Sequence, residues 1–177
     1  DEAKGWLPRQ SQQSPWLMTK QTQSLSNFHP AMLIATWFGS GLSRVAPGTC
    51  GSLAALPFAW LITMLWGVQA LFVAAGAIFC IGYISCILVM RHREEKDPQI
   101  IVVDEVAGQW LALCAAPLDP VYYFLGFALF RIADISKIWP ASWIDRSLFG
   151  VAGVMLDDTI SGIYAAITVL IIVQIIG

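Results

Sequence analysis

The chain has 177 residues, of which 57% are hydrophobic and 12% charged, with a formal net charge of −2 and a mean hydropathy of +0.66. Soluble domains carry roughly 25% charged residues, so this composition excludes an ordinary water-soluble globule. The near-neutral balance and the lack of a basic stripe give no argument for a nucleic-acid partner, and none is expected.

Residues 1–28 are polar and rich in Gln and Ser, without the apolar core and cleavage site of a secretory signal. They read as a flexible cytoplasmic tail ahead of a single membrane-embedded domain over 29–177. Pro30 to Phe38 is apolar but only about half of spanning length, which suits a core, interfacial or re-entrant helix. Phe38 to Ser52 is a glycine-rich loop with hydroxyl residues and one cation, Arg44. Ser52 to Trp66 follows without a charge, Gly67 makes a tight connection, and Val68 to Met90 runs uncharged into Arg91-His92-Arg93. Since about 20 apolar residues cross a bilayer core, the pair predicts a helical hairpin whose ends face the cytoplasm by the positive-inside rule.

Ile100 to Ala116 carries Asp104 and Glu105 near its start, and Asp119-Pro120 marks a turn. Val121 to Ile135 then carries Arg131 and Asp134 at its end. Trp139, Pro140 and Trp143 predict an interfacial loop, and Asp157-Asp158 stands directly before a last apolar stretch, Ile160 to Ile176. The expected fold is all-α, a polytopic membrane helical bundle with four or five spans and a polar N-terminal tail. Its cytoplasmic end gathers Asp97, Asp104, Glu105, Arg131, Asp134, Lys137, Asp145, Arg146, Asp157 and Asp158, with Asp119 on the far side. Cys50, Cys80, Cys86 and Cys114 lie in apolar stretches without a CxxC pair and read as small buried hydrophobes.

A carboxylate in or beside a span costs about 2.5–3.5 kcal/mol, so each needs a partner. Asp134 alone is served by Arg131 or Lys137, three residues away on one helix face. The adjacent pairs Asp104-Glu105 and Asp157-Asp158 outnumber the nearby cations. Converging carboxylates without equal basic charge suit a hard divalent cation such as Mg²⁺, which takes oxygen ligands and substrate phosphate. The candidate metal ligands are therefore Asp104, Glu105, Asp134, Asp157 and Asp158. His29 and His92 offer no zinc arrangement. The glycine-rich loop can present N–H groups to an anion at a helix N-terminus, with Ser43, Arg44, Thr49 and Ser52 as substrate contacts. Close helix packing is the alternative use of its glycines. Arg131, Lys137 and the pair Asp145-Arg146 can hold phosphate oxygens or their surroundings; anchoring at the membrane face with interfacial Trp is the alternative.

Taken together and in order, these segments resemble phosphatidylglycerophosphatase A of Gram-negative bacteria, from about Ala31 to the C-terminus. The likeness rests on Phe38-Gly-Ser-Gly-Leu-Ser43, Ala46-Pro-Gly-Thr49 and Gly51-Ser-Leu-Ala-Ala-Leu-Pro57. It continues in Val103-Asp-Glu105 with Gly108 and Trp110, then in Phe130-Arg131, Asp134, Lys137, Trp139-Pro140, Trp143 and Asp145-Arg146. Gly153-Val-Met-Leu-Asp-Asp158 with Gly162 completes it. Arg44 stands where the family pattern usually has Pro, and Lys137-Ile-Trp-Pro140 replaces Lys-Pro-Trp-Pro; neither change removes an expected ligand.

The resemblance implies Mg²⁺-dependent removal of the terminal phosphate from phosphatidylglycerophosphate, giving phosphatidylglycerol at the cytoplasmic face of the bacterial inner membrane. Asp104, Glu105, Asp134, Lys137 and Asp158 are then the catalytic set, and the partners are the phospholipid substrate and membrane lipids. Water is the expected nucleophile because no Cys-x₅-Arg loop or Ser/His pair appears; an aspartyl-phosphate is the alternative. Competing classes are an ion- or proton-coupled small membrane transporter and a non-catalytic lipid-binding protein. Charges gathered at one face, rather than at mid-membrane, favour the enzyme.

Overall fold

Apolar periodicity without a strand signal gives an all-helical chain, and a computed structural model of it shows six helices and one 3₁₀ turn among the described residues. It describes residues 25–92, 99–137, 139–147 and 150–176; the expected tail up to residue 24 and Asp97 lie outside the described residues. The half-length segment becomes a short helix, α1 (Pro30–Ala35), capped by His29, whose Nδ1 accepts the Ala31 N–H at 3.2 Å. Its Ala31, Met32 and Ala35 are buried with Cys86, Val89 and Ile101, so it is a packed core helix.

Helix α2 (Pro47–Arg91) begins at Pro47, a residue pre-set for a first helical turn. The second half of the expected loop, 47–52, is thus helical. Gly67 breaks α2 with φ 82° and ψ 174°, a conformation open to glycine and costly for other residues. The two legs, 47–66 and 68–91, return to one end: Gly51 packs on Val102 and Gly82 on Val103. This is the expected hairpin.

Helix α3 (Val103–Leu113) runs from that end towards Asp119, whose carboxylate accepts the Val121 N–H at 2.8 Å and caps α4 (Pro120–Ser136). At the same far end the Tyr123 hydroxyl meets Thr63 Oγ1 at 3.1 Å, close to the Gly67 break. Trp110 Nε1 donates to the Ala55 carbonyl at 3.0 Å, fixing α3 on the first leg of α2. After α4 the expected interfacial loop contains a helix, α5 (Ala141–Ser147), with Trp139 and Trp143 exposed. Helix α6 (Val151–Ile176) starts after Gly150, earlier than expected, so Asp157 and Asp158 lie inside it rather than before it. Gly108 of α3 and Gly162 of α6 allow backbone contact. A Cβ on Gly108 would come 2.5 Å from the Asp158 carbonyl oxygen, and one on Gly162 would strike the Gly108 carbonyl.

Among the described residues, α2 and α6 are the helices long and apolar enough to cross a membrane. Their most apolar stretches are just 28% and 22% buried, whereas the core helix of a soluble protein is mostly buried. Exposed Leu61, Phe72, Val73, Ile171 and Ile175 therefore require apolar surroundings. The four cysteines are free: Cys86 is buried as expected, Cys50 and Cys114 partly so, and Cys80 is exposed.

Candidate active site

The first turn of α3 carries Asp104 and Glu105, the last turn of α4 carries Arg131 and Asp134, and the early turns of α6 carry Asp157 and Asp158. The Gly108–Gly162 contact sets the distance between α3 and α6 one turn below these acids. Oxygens of Asp104, Glu105 and Asp158 consequently lie within 4.8 Å of one another. Asp104 is 4% exposed and Asp158 5%. Asp104 Oδ1 accepts the Glu105 N–H at 3.0 Å, while Glu105 Oε2 is buried without a hydrogen-bond partner among the described residues.

Two cations are drawn to the other acids. Arg131 Nη1 lies 2.7 Å from Asp134 Oδ2 and 4.0 Å from Glu105 Oε1. Lys137 turns its side chain to α6, where its Nζ reaches Asp157 Oδ2 at 2.9 Å. Lys137 makes this turn from a left-handed backbone, φ 43° and ψ 53°, which costs a residue with a Cβ on the order of 1–3 kcal/mol.

All these groups line one cavity of about 480 Å³, together with Arg44, Ala46, Pro47 and Gly48. Five carboxylates there face three cations, Arg44, Arg131 and Lys137. Burying charge without compensation costs several kcal/mol per ion, so the excess acids call for a cation. An all-oxygen donor set with a bare buried oxygen at Glu105 fits a hard divalent ion. The lining adds the N-terminus of α2, which has no side-chain cap at Ala46; its first-turn N–H groups lack intrahelical partners and carry the positive end of the helix dipole.

The cavity therefore joins Asp104, Glu105, Asp134, Asp157, Asp158, Arg131, Lys137 and Arg44. It does not include Ser43, Thr49 or Ser52. Ser43 Oγ donates to the Val45 carbonyl at 3.0 Å, and fully buried Ser52 donates to the Gly48 carbonyl at 2.9 Å, because 47–52 is helical and turns Ser52 inward. Asp145 and Arg146 lie on α5, with their side chains outside the described part. No Ser, Thr, Cys or His lines the cavity among the described residues. Gly48 was expected only as part of the glycine-rich loop, yet a Cβ there would collide with Glu105 Oε1 and lie 3.3 Å from Arg131 Nη1. The Pro-Gly start of an uncharged helix was its signal.

The family model described as phosphatidylglycerophosphatase A matches residues 33–173. The chain is 42% identical over 151 residues to phosphatidylglycerophosphatase A of Escherichia coli, covering 84% of this chain and 86% of that protein. It is 36% identical over 148 residues to phosphatidylglycerophosphatase A of Haemophilus influenzae, covering 83% and 91%. It is also 36% identical over 159 residues to a putative phosphatidylinositol-3-phosphatase of Bacteroides thetaiotaomicron, covering 82% and 95%. No solved structure matches the chain.

Proposed function

The chain belongs to the phosphatidylglycerophosphatase A family, and from that premise we propose that it hydrolyses the terminal phosphate of phosphatidylglycerophosphate, releasing phosphatidylglycerol and inorganic phosphate. The observation that carries this reading is the cavity in which five carboxylates from three helices face three cations and an uncapped helix N-terminus. Such a site accepts a divalent metal and a phosphate together.

Mg²⁺ is the proposed metal, held by Asp104, Glu105 and Asp158, with Asp134 and Asp157 beside them. When bound it supplies neutralisation of the monoester and of charge developing on its oxygens. Asp134 holds Arg131, and Asp157 holds Lys137, so that both cations point into the cavity at fixed depth. Arg131 and Lys137 contact the phosphoryl oxygens and offset charge in the transition state. The first turn of α2 at Gly48 offers backbone N–H to the same phosphate. Water attacks phosphorus in line with the leaving glycerol oxygen; the lack of a hydroxyl, thiol or imidazole in the described lining supports water over a Ser, Cys or His nucleophile.

The protein is proposed to sit in the bacterial inner membrane as a multi-pass bundle of four or five crossings. The two legs of α2 and α6 cross at full length, while α3 and α4 form the inner pair. The cavity end faces the cytoplasm, since Arg91 closes α2 at that end and opens the basic run Arg91-His92-Arg93. Purified protein in mixed micelles should release phosphate from phosphatidylglycerophosphate with Mg²⁺ and none with EDTA. Equal release in EDTA removes the metal from the reading; no release in either condition removes the enzyme.

A further inference from the structure

The proposed lipid carries two phosphates of different kinds. One is the terminal monoester that is cut; the other is the diester joining the head group to the lipid, which stays behind. The cavity is graded in depth to match. At its floor Asp104 and Asp158 are almost fully buried and the largely buried Arg131 is held by Asp134, while Lys137, itself exposed, is bound to Asp157. At its mouth stands Arg44, exposed, in the same lining. Among the described residues Arg44 makes no ion pair, so its fork of five N–H donors is free for a planar or tetrahedral oxyanion.

Its position is also defined by the backbone. Ser43 Oγ donates to the Val45 carbonyl at 3.0 Å and accepts the Val45 N–H at 3.4 Å, so Arg44 stands at the tip of a tight turn. Three residues later Pro47 opens α2, and Gly48 lies against Glu105. The turn thus places Arg44, without an ion pair among the described residues, in the lining outside the metal-binding floor.

We propose that Arg44 binds the diester phosphate of the lipid whose monoester is cut, so that the site selects head groups bearing both phosphates. This rests on the lipid-phosphatase reading above. A monoester seated at the floor leaves the diester as the next anion along the head group, and Arg44, the lining cation not held by an acid among the described residues, to receive it. Arg131 and Lys137 serve the monoester.

The test uses the purified full-length chain and dihexanoyl lipids in monomeric solution, where membrane-surface attraction plays no part. Dihexanoyl phosphatidylglycerol carries the diester alone, and inorganic phosphate carries the monoester chemistry alone. In the wild type both should compete with dihexanoyl phosphatidylglycerophosphate. Arg44→Ala should weaken inhibition by phosphatidylglycerol about tenfold, the loss of one charge-assisted contact, while inhibition by phosphate moves less than twofold. The loss for the substrate should fall on KM rather than kcat, and Arg44→Lys should recover part of it. Lack of competition by phosphatidylglycerol in the wild type overturns the proposal, as does an equal shift of both inhibitors in Arg44→Ala. Lack of any phosphate release by the wild type in Mg²⁺ overturns the lipid-phosphatase reading itself, a separate result.

Discussion

Gly48→Ala is a one-carbon change whose effects on folding and on activity should part company. The added Cβ would occupy the place of Glu105 Oε1 and lie 3.3 Å from Arg131 Nη1, so the Glu105 carboxylate must move by about an ångström. Glu105 is one of the three acids whose oxygens lie within 4.8 Å. Overpacking costs typically about 1–3 kcal/mol, but here the obstacle is the end of a side chain that can swing. Replacing glycine in a helical turn returns about 0.5–1 kcal/mol. The two nearly cancel, and Tm in detergent should change by no more than about 4 °C. A displacement of that size at a reacting centre costs on the order of 100-fold, or about 2.7 kcal/mol of transition-state stabilisation. Gly76→Ala is the matched control, since a Cβ there meets nothing within 4 Å. Phosphate release from phosphatidylglycerophosphate, with Mg²⁺ varied for each protein, measures the effect. Activity of Gly48→Ala within twofold of Gly76→Ala would refute the claim that the approach of α2 to Glu105 shapes the site.

Gly108→Ala and Gly162→Ala should both destabilise and inactivate, because the obstacle is backbone and α3 must part from α6; about 1–3 kcal/mol is expected, read as loss of soluble protein after heating in detergent. Lys137→Met should lower kcat/KM by about 10²–10³-fold, and Asp157→Asn, which frees the Lys137 ammonium from its 2.9 Å partner, should lower it less. Asp134→Asn should raise KM through Arg131, which it holds at 2.7 Å, and steady-state kinetics separate this from an effect on kcat.

Much of the helical plan was legible because its signals are local. An uncharged run, a glycine, and a second uncharged run ending in Arg91 specify a hairpin, and Gly67 does break α2. Asp119 before Pro120 announces a helix start and caps one. The start of α6 was misplaced because Asp157 and Asp158 look like a boundary in hydropathy, whereas buried neighbours and the partner Lys137 let them sit inside the helix. The spacing offered Asp134 either Arg131 or Lys137; Arg131 takes it along α4, and the left-handed turn at Lys137 sends that side chain across to Asp157 on α6, a pair the spacing did not show. That Asp104, Glu105 and Asp158 converge depends on Gly108 meeting Gly162, a contact between residues far apart in sequence that no periodicity encodes. Ser52 was expected at the phosphate because a glycine-rich stretch resembles a loop; Pro47 at a helix start turns it inward.

The claim that matters most is that Asp104, Glu105 and Asp158 hold a divalent metal ion, and Mn²⁺ binding to the purified protein, followed by electron paramagnetic resonance, tests it without any substrate. Saturable binding by the wild type, weakened about tenfold or more in Asp104→Asn and Asp158→Asn that remain folded, is the expected result. Undiminished binding in both folded variants would contradict it.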